Sequence, residues 1–102
     1  MTADLRDNIE KHRFELEVDG HIAHVVYRKR DDTITLVHTE VPKELGGRGV
    51  GSTLVRRVLE TVRDSGLKVV PTCPFISAWM EKHPEFDDLL ATPRPAPAGG
   101  DR

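Results

Sequence analysis

Four glycines fall within six residues in the middle of the chain, at Gly46, Gly47, Gly49 and Gly51. They follow a strand-like run that ends at residue 40 and precede a helical run over residues 52–65. Glycine adopts backbone angles that other residues avoid, so this loop can turn several N–H groups toward one point. The first turn of the helix adds its own free N–H groups and the positive end of its dipole. The arrangement predicts a site for a phosphate-bearing ligand.

Two common phosphate-binding loops do not fit these residues. A P-loop places a lysine after its last glycine, whereas Ser52 follows Gly51 here. A dinucleotide-binding loop has Gly-x-Gly-x-x-Gly spacing directly after a strand, and this chain has its glycines at 47, 49 and 51 behind the segment 42–45. The spacing therefore argues against a nucleoside triphosphatase and against a dinucleotide-binding enzyme.

Three side chains elsewhere in the chain can transfer protons or acyl groups. His38 and Glu40 lie two residues apart on a predicted strand, so they should share one face, and either can accept a proton. Cys73 precedes Pro74, which suits the first position of a helix, and the dipole of that helix would favour a thiolate. The alternatives remain open: a solvated carboxylate, a packing histidine and a small buried apolar side chain.

Three runs that alternate between apolar and polar residues must position these groups. They are Arg13–Val18, His21–Arg30 and Thr33–Glu40. Asp19-Gly20 is a favoured two-residue hairpin turn, and Asp31-Asp32 predicts a second tight turn. The runs therefore predict a three-stranded antiparallel meander, preceded by a polar segment, residues 1–12, that is loose or forms a short edge strand.

The period of the apolar residues changes after the glycine loop. Helical spacing continues as far as Gly66, and the short apolar run 67–70 predicts a strand that lies parallel to the third strand or splays from it. A second helix is expected over residues 75–82, between Pro74 and Pro84. The loop and first helix thus belong to a βαβ unit.

Composition limits the function classes. The chain has 102 residues, so one domain over residues 1–90 is expected, followed by a disordered Pro-, Ala- and Gly-rich tail over 91–102. Its net charge of −2 does not suggest a nucleic-acid partner, and its single cysteine leaves no internal disulfide or cysteine-based zinc site, so no metal is expected. It has no apolar run that could span a membrane and no signal-peptide core near residue 1, which predicts a cytoplasmic location.

Several short motifs follow one another across residues 5–90. They are Arg13-Phe14, Asp19-Gly20, Tyr27-Arg28, the segment 38–42, the glycine loop, the segment 71–75 and His83-Pro84. Together they resemble a family of short, single-domain proteins of the GNAT superfamily of N-acetyltransferases. Gly49 and Gly51 match the two small positions of its pyrophosphate loop, Arg/Gln-x-x-Gly-x-Gly/Ala. The chain departs from that pattern at Gly46, and Arg48 is the nearby residue that can supply the missing charge.

The resemblance implies a fold and a set of site residues. The fold is a minimal GNAT-like α/β (α+β) domain, with a mostly antiparallel sheet flanked by two helices. The ligand is acetyl-CoA, with its pyrophosphate on the glycine loop and its pantetheine arm beside the splayed third strand. The implied cofactor-binding residues are Thr39, Val41, Gly46, Gly47, Arg48, Gly49, Val50, Gly51 and Ser52. The implied catalytic residues are Glu40 or His38 as the base, and Cys73, which accepts the acetyl group or lines the thioester pocket.

The implied activity is transfer of an acetyl group from acetyl-CoA to an amine. Full-size GNAT enzymes carry extra helices before their second strand that this chain has no room for, so an open acceptor face is expected. Such a face suits a protein lysine or terminus, in a monomer or a homodimer. The alternatives are a non-enzymatic module that binds CoA or acyl-CoA and an interaction domain without a cofactor.

Overall fold

The computed structural model describes residues 5–92. Its regular elements, in chain order, are β1 (Leu5–Asn8), β2 (Arg13–Val18), β3 (His21–Arg30), β4 (Thr33–Glu40), α1 (Val50–Asp64), β5 (Lys68–Pro71) and α2 (Pro74–Glu81). Two 3-10 segments, Lys43–Leu45 and Pro84–Leu89, precede α1 and follow α2. The helix α1 begins two residues earlier than predicted, so Val50 and Gly51 belong to its first turn. The predicted tail 91–102 lies outside the described residues except for Ala91 and Thr92.

The five strands form one sheet in the order β1-β2-β3-β4-β5. Neighbouring strands are antiparallel from β1 to β4, and β5 lies parallel to β4. A parallel neighbour requires a crossover, which α1 provides. The predicted mostly antiparallel sheet is confirmed, and the polar segment before β2 contributes the short edge strand β1.

The first predicted turn sets the register of the central hairpin. Asp19 and Gly20 have positive φ angles of 51° and 81°, the combination that a two-residue hairpin turn requires. The turn places Phe14 opposite Val25 and Leu16 opposite Ala23, and all four side chains are buried. One face of the hairpin is therefore apolar.

A single core lies against that face of the sheet. It combines the buried residues of β2, β3 and β4 with the apolar stripe of α1, the inner side of α2 and the last 3-10 segment. The stripe on α1 consists of Val50, Leu54, Val55, Val58, Leu59 and Val62. Because both helices bury their apolar sides in this one core, no helix within residues 5–92 covers the opposite face, which we call the helix-free face.

The helix-free face is closed near β1 by a cluster of charges instead of apolar side chains. Glu15 is 3% exposed, and its carboxylate accepts hydrogen bonds from Arg6 at 2.8 Å, Arg13 at 2.7 Å and Asn8 at 3.0 Å. The hydrogen bonds from Arg6 and Arg13 lower the pKa of Glu15 from 4.5 to about 2. A buried carboxylate is tolerated here because both of its oxygens accept hydrogen bonds.

An irregularity in β4 decides which residues face the helix-free side. Val26 lies opposite His38, whereas Tyr27 lies opposite Leu36, so Val37 has no partner in β3. This extra residue is a β-bulge, a feature that often re-aims side chains beside functional sites. Strict alternation after Leu36 would have buried His38, but the bulge turns it to the helix-free face.

Candidate active site

The glycine loop joins β4 to α1 and carries a run of main-chain N–H groups without partners. Within residues 5–92, no N–H group from 47 to 52 makes a main-chain hydrogen bond of good geometry. The first helical bond runs from the N–H of Thr53 to the carbonyl of Gly49, at 3.1 Å. No side chain caps the helix, because its N-cap residue is Gly49. The start of α1 therefore offers consecutive donors to a ligand.

Two of the glycines are required by the backbone of this loop. Gly47 and Gly49 have φ angles of 76° and 71°, a conformation that residues with a side chain rarely adopt. Gly46 does not, since its φ is −63° and its N–H donates to the carbonyl of Lys43 at 3.0 Å. The N–H of Gly46 is thus already engaged, and the cofactor-binding role of this residue stays a prediction.

Gly51 is required by close packing. A Cβ atom on Gly51 would lie 3.0 Å from Cζ of Phe75 and 3.6 Å from a methyl group of Val41. The first contact is tighter than nine in ten real Cβ contacts, so a side chain at position 51 would press against the Phe75 ring and push it by a few tenths of an ångström or more. Phe75 is 47% exposed, and its ring therefore forms an apolar wall beside the free N–H groups.

The charged side chain of the loop is held at its rim. Arg48 donates to the carboxylate of Asp19 at 2.5 Å, which ties the loop to the β2–β3 turn. Both side chains are about half exposed, at 46% and 51%. The predicted electrostatic role of Arg48 toward the ligand stays a prediction.

A contact between the two helices was not predicted. The indole N–H of Trp79 donates to the hydroxyl oxygen of Ser52 at 2.8 Å. His83 stacks on the indole ring, with the two ring centroids 3.6 Å apart. The guanidinium carbon of Arg56 also lies over the indole, 5.3 Å from its centroid. Arg56 therefore packs against an aromatic ring. Because the Ser52 hydroxyl accepts the hydrogen bond from Trp79, its own proton is available for a ligand.

The strands β4 and β5 separate beside the loop. Their pairing covers Thr33 to Leu36 and stops at Leu36 opposite Pro71. Beyond this point β4 continues along β3, while the segment after β5 leads into α2. The carbonyl of Leu36 accepts from the N–H of Cys73 at 3.0 Å and from the hydroxyl of Thr72 at 3.1 Å. The predicted parallel pair is confirmed, and it opens into a fork at Leu36.

Cys73 occupies this fork as the N-cap residue of α2. It is 4% exposed, and its Sγ lies 3.4 Å from the hydroxyl oxygen of Thr39. Burial disfavours the charged form, but hydrogen bonds from Thr39 and from the N–H groups of Ile76 and Phe75 favour it more strongly. The pKa of the Cys73 thiol is consequently lowered. A lowered pKa makes the thiolate, the nucleophilic form, more available.

His38 and Glu40 share the helix-free face, as predicted. The Nε2 atom of His38 lies 3.6 Å from Oε1 of Glu40, and Nε2 of His24 lies 3.8 Å from the same oxygen. Burial lowers the pKa of His24, Arg13 adds to the shift, and Glu40 opposes it. His24 was missed as a site residue, because only the β3–β4 register places it directly opposite Glu40.

The predicted site residues thus fall into two groups on either side of the end of β4. Thr39 points into the fork with Cys73, and the free N–H groups follow a few residues later. Glu40 points the other way, into a cluster with His38 and His24. Within residues 5–92 no three His, Cys, Asp or Glu side chains are grouped to hold a metal ion. None of the helices in the same span has the length and apolar character needed to cross a membrane.

This geometry agrees with comparisons to known proteins. A family model described as GCN5-related N-acetyl-transferase matches residues 13–89. The chain belongs to this family. The match includes the glycine loop, the fork and Cys73, and it confirms the resemblance drawn from the motifs.

Two relatives illustrate how far the similarity extends. The solution NMR structure of a GCN5-like protein from Staphylococcus aureus, provisionally assigned as an N-acetyltransferase, superposes with a TM-score of 0.68 and 30% identity. It covers 89% of this chain and 90% of that one. Protein NATD1 of Xenopus tropicalis is 35% identical over 52 residues, which is 51% of this chain and 48% of that protein. The matched region therefore spans about half the length of this relative.

Proposed function

We propose that the protein transfers an acetyl group from acetyl-CoA to an amine. The observation that carries this proposal is the run of free main-chain N–H groups over residues 47–52, directly beside the fork between β4 and β5. A run of donors at the start of a 15-residue helix suits a diphosphate. Membership of an N-acetyl-transferase family points to acetyl-CoA as the ligand that carries this group.

The residues around the loop fit the parts of this ligand. The N–H groups over 47–52 would bind the pyrophosphate, each charge-assisted hydrogen bond contributing roughly 1.5–3 kcal/mol. Beyond Leu36, the edge of β4 that faces away from β3 has no strand neighbour. The main chain near Thr39 and Val41 would therefore bind the amides of the pantetheine arm. Phe75 would give that arm an apolar wall. Lys43, exposed at the rim, would add electrostatic attraction.

Cys73 would act on the thioester that acetyl-CoA supplies. In one role, its thiolate bonds to the acetyl carbon as the CoA sulfur leaves, and the amine nitrogen later displaces Sγ. In the other role, the thiol only lines the pocket around the acetyl group. The hydrogen bonds from Thr39 and from the start of α2 that favour the thiolate support the first role.

Glu40 is the base that the geometry favours for the amine. An ammonium group must lose a proton before its nitrogen can attack. Glu40 is largely exposed on the helix-free face, with His38 and His24 within 4 Å of the same carboxylate oxygen. The proton would pass to Glu40, directly or through a water molecule, and His38 would pass it to solvent. The acceptor would then approach from the side opposite the helices.

Two measurements test this function. Calorimetry with acetyl-CoA shows whether the protein binds the ligand, and release of free thiol in a screen of amines shows whether it transfers the acetyl group. Binding with turnover supports the proposal. Binding without turnover of any amine would favour a non-enzymatic CoA-binding module, and absence of binding would favour an interaction domain.

A further inference from the structure

A pocket of about 520 Å³ lies between the β1–β2 turn and the middle of β3, away from the glycine loop. We call it the basic pocket. Its lining consists of Lys11, His12, Val26, Tyr27, Arg28 and Lys29. None of these residues is acidic, and the pocket opens to solvent between exposed cationic side chains.

The cations of this pocket are not neutralised. Within residues 5–92, the side chains of Lys11, Arg28 and Lys29 form no ion pair and no hydrogen bond. Many other basic residues behave differently. Five arginines are paired with carboxylates, namely Arg6, Arg13, Arg48, Arg56 and Arg63. Three unpaired cations therefore lie close together at this pocket, on a chain whose net charge is −2.

The pocket is also held in shape. The N–H of Tyr27 donates to the carbonyl of His12 at 2.9 Å, which attaches the β1–β2 turn to β3. The ring of His12 meets the ring of Tyr27 edge-on, with centroids 6.3 Å apart. The Tyr27 hydroxyl donates to Asp7 at 2.6 Å, which fixes the position of the tyrosine ring. A preformed site loses less free energy on binding than one that must be ordered.

The basic pocket adjoins the exposed half of the candidate active site. Val26 lines the pocket and is the direct partner of His38 in β4. The imidazole of His38 lies 3.6 Å from Glu40, the residue assigned as base. Arg28 lies two residues from Val26 on β3, so its side chain shares the helix-free face with His38 and Glu40, whereas Lys29 alternates with it at the edge of the sheet. A molecule whose amine reaches Glu40 can therefore place a neighbouring group in the pocket.

From this placement we infer that the basic pocket binds an anionic group of the acetyl acceptor, a carboxylate or a phosphate beside the reacting amine. The inference rests on the proposed function. It assigns specificity chiefly to Arg28, with Lys11 and Lys29 adding positive charge at the rim, and it makes an amine with a neighbouring negative charge a better acceptor than a polyamine. Carboxylate and phosphate present the same chemistry to these cations, and the acceptors chosen for the assay separate them.

Binding is tested first, without turnover. Inorganic phosphate is titrated into the full-length protein while amide resonances are followed by NMR. We expect saturable shifts at residues 11–12 and 26–29 that disappear in Arg28→Glu and persist in Lys82→Glu. Lys82 is exposed at the end of α2 and makes no side-chain ion pair within residues 5–92, so it is a charge-matched control. Shifts confined to the glycine loop, or no saturable shifts, would overturn the inference.

Specificity is tested with matched acceptors. Three short peptides present the same free amine beside glutamate, phosphoserine or glutamine, and kcat/KM is measured for each. We expect the better of the two charged peptides to exceed the glutamine peptide by about fivefold, the effect of one or two exposed ion pairs. The preference should vanish in Arg28→Glu and remain in Lys82→Glu.

The outcomes separate this inference from the proposed function. Equal turnover of all three peptides would contradict the anionic acceptor while leaving acetyl transfer intact. Phosphate binding in the pocket without turnover of any peptide would contradict its assignment to the acceptor. Failure of acetyl-CoA to bind in calorimetry would overturn the proposed function and with it the assignment of the pocket to an acetyl acceptor, while the phosphate titration would still decide whether the pocket binds anions.

Discussion

The two sides of β4 at its C-terminal end differ in almost every physical property. On the core side, Cys73 is buried, Thr39 contacts its sulfur, and free main-chain donors follow in the glycine loop. On the helix-free side, His38 and Glu40 are exposed, and only His24 is largely shielded. A buried side with fixed donors suits a ligand that must be held in one geometry. An exposed side suits proton exchange with water and an acceptor of variable size.

A β-bulge creates this contrast. Without the unpaired Val37, residues beyond Leu36 would continue its alternation, and the carboxylate and the thiol-contacting hydroxyl would exchange faces. The predictions below test whether the buried side carries ligand binding and acyl chemistry while the exposed side carries proton transfer.

The strongest test of the buried side is the replacement Cys73→Ala. If the thiolate accepts the acetyl group, kcat should fall by about hundredfold while the affinity for acetyl-CoA stays within about threefold. Steady-state kinetics and calorimetry measure the two quantities. Unchanged turnover would remove Cys73 from the mechanism and leave it only a lining role.

The charge cluster of the helix-free face should contribute stability that depends on pH. Because the pKa of Glu15 is lowered in the folded state from 4.5 to about 2, this stability is present above about pH 4.5 and is lost as the pH falls toward 2. Glu15→Gln should lower the free energy of unfolding by about 2 kcal/mol at pH 7 and by much less near pH 2. Chemical denaturation at both pH values measures the difference, with the exposed Glu17→Gln as control. An equal loss at both pH values would contradict the ionic account.

On the exposed side, Glu40→Gln should lower kcat by about tenfold or more, because the amide cannot accept the proton from the amine. The affinity for acetyl-CoA should stay within about twofold, since Glu40 points away from the fork. Raising the pH deprotonates the amine acceptor without help, so the defect should shrink under alkaline conditions. A defect that is constant with pH, or a matching loss of acetyl-CoA affinity, would argue against a role as base.

The smallest effect concerns the environment of the thiol. Thr39→Val removes a hydrogen bond that favours the thiolate, so the pKa of Cys73 should rise from its lowered position. The pH dependence of alkylation by iodoacetamide follows the thiolate, and its midpoint should move to higher pH. Thr35→Val, on the same strand, should leave the midpoint unchanged. A shift of equal size in both variants would mean that strand distortion, not the hydrogen bond, is responsible.

Local patterns were sufficient for much of this molecule. Asp19-Gly20 defined a hairpin because both residues tolerate positive φ, and the glycine loop defined the start of a helix. The motif resemblance then located Cys73 beside the third strand of the predicted meander. These features depend on residues close together in the sequence, where propensity and spacing carry the information.

The features that were missed depend on contacts between distant segments. The bulge at Val37 is visible only in the register of two strands, and that register brings His24 to Glu40. The hydrogen bond from Trp79 to Ser52 and the basic pocket likewise require the folded arrangement of helices and turns. Alternation and periodicity describe one segment at a time, so they could not reveal these pairs.

The most direct test of the central claim is calorimetry of acetyl-CoA binding to the unmodified protein and to Gly51→Leu, with Glu60→Leu as an exposed control on the same helix. A Cβ atom at position 51 would lie 3.0 Å from the Phe75 ring, and the remaining leucine atoms would fill the space between that ring and the N–H groups. We expect measurable binding that falls by about tenfold or more in Gly51→Leu and is unchanged in Glu60→Leu. Equal affinity in all three proteins, or no binding to the unmodified one, would contradict the claim that the N–H groups over residues 47–52 hold the pyrophosphate.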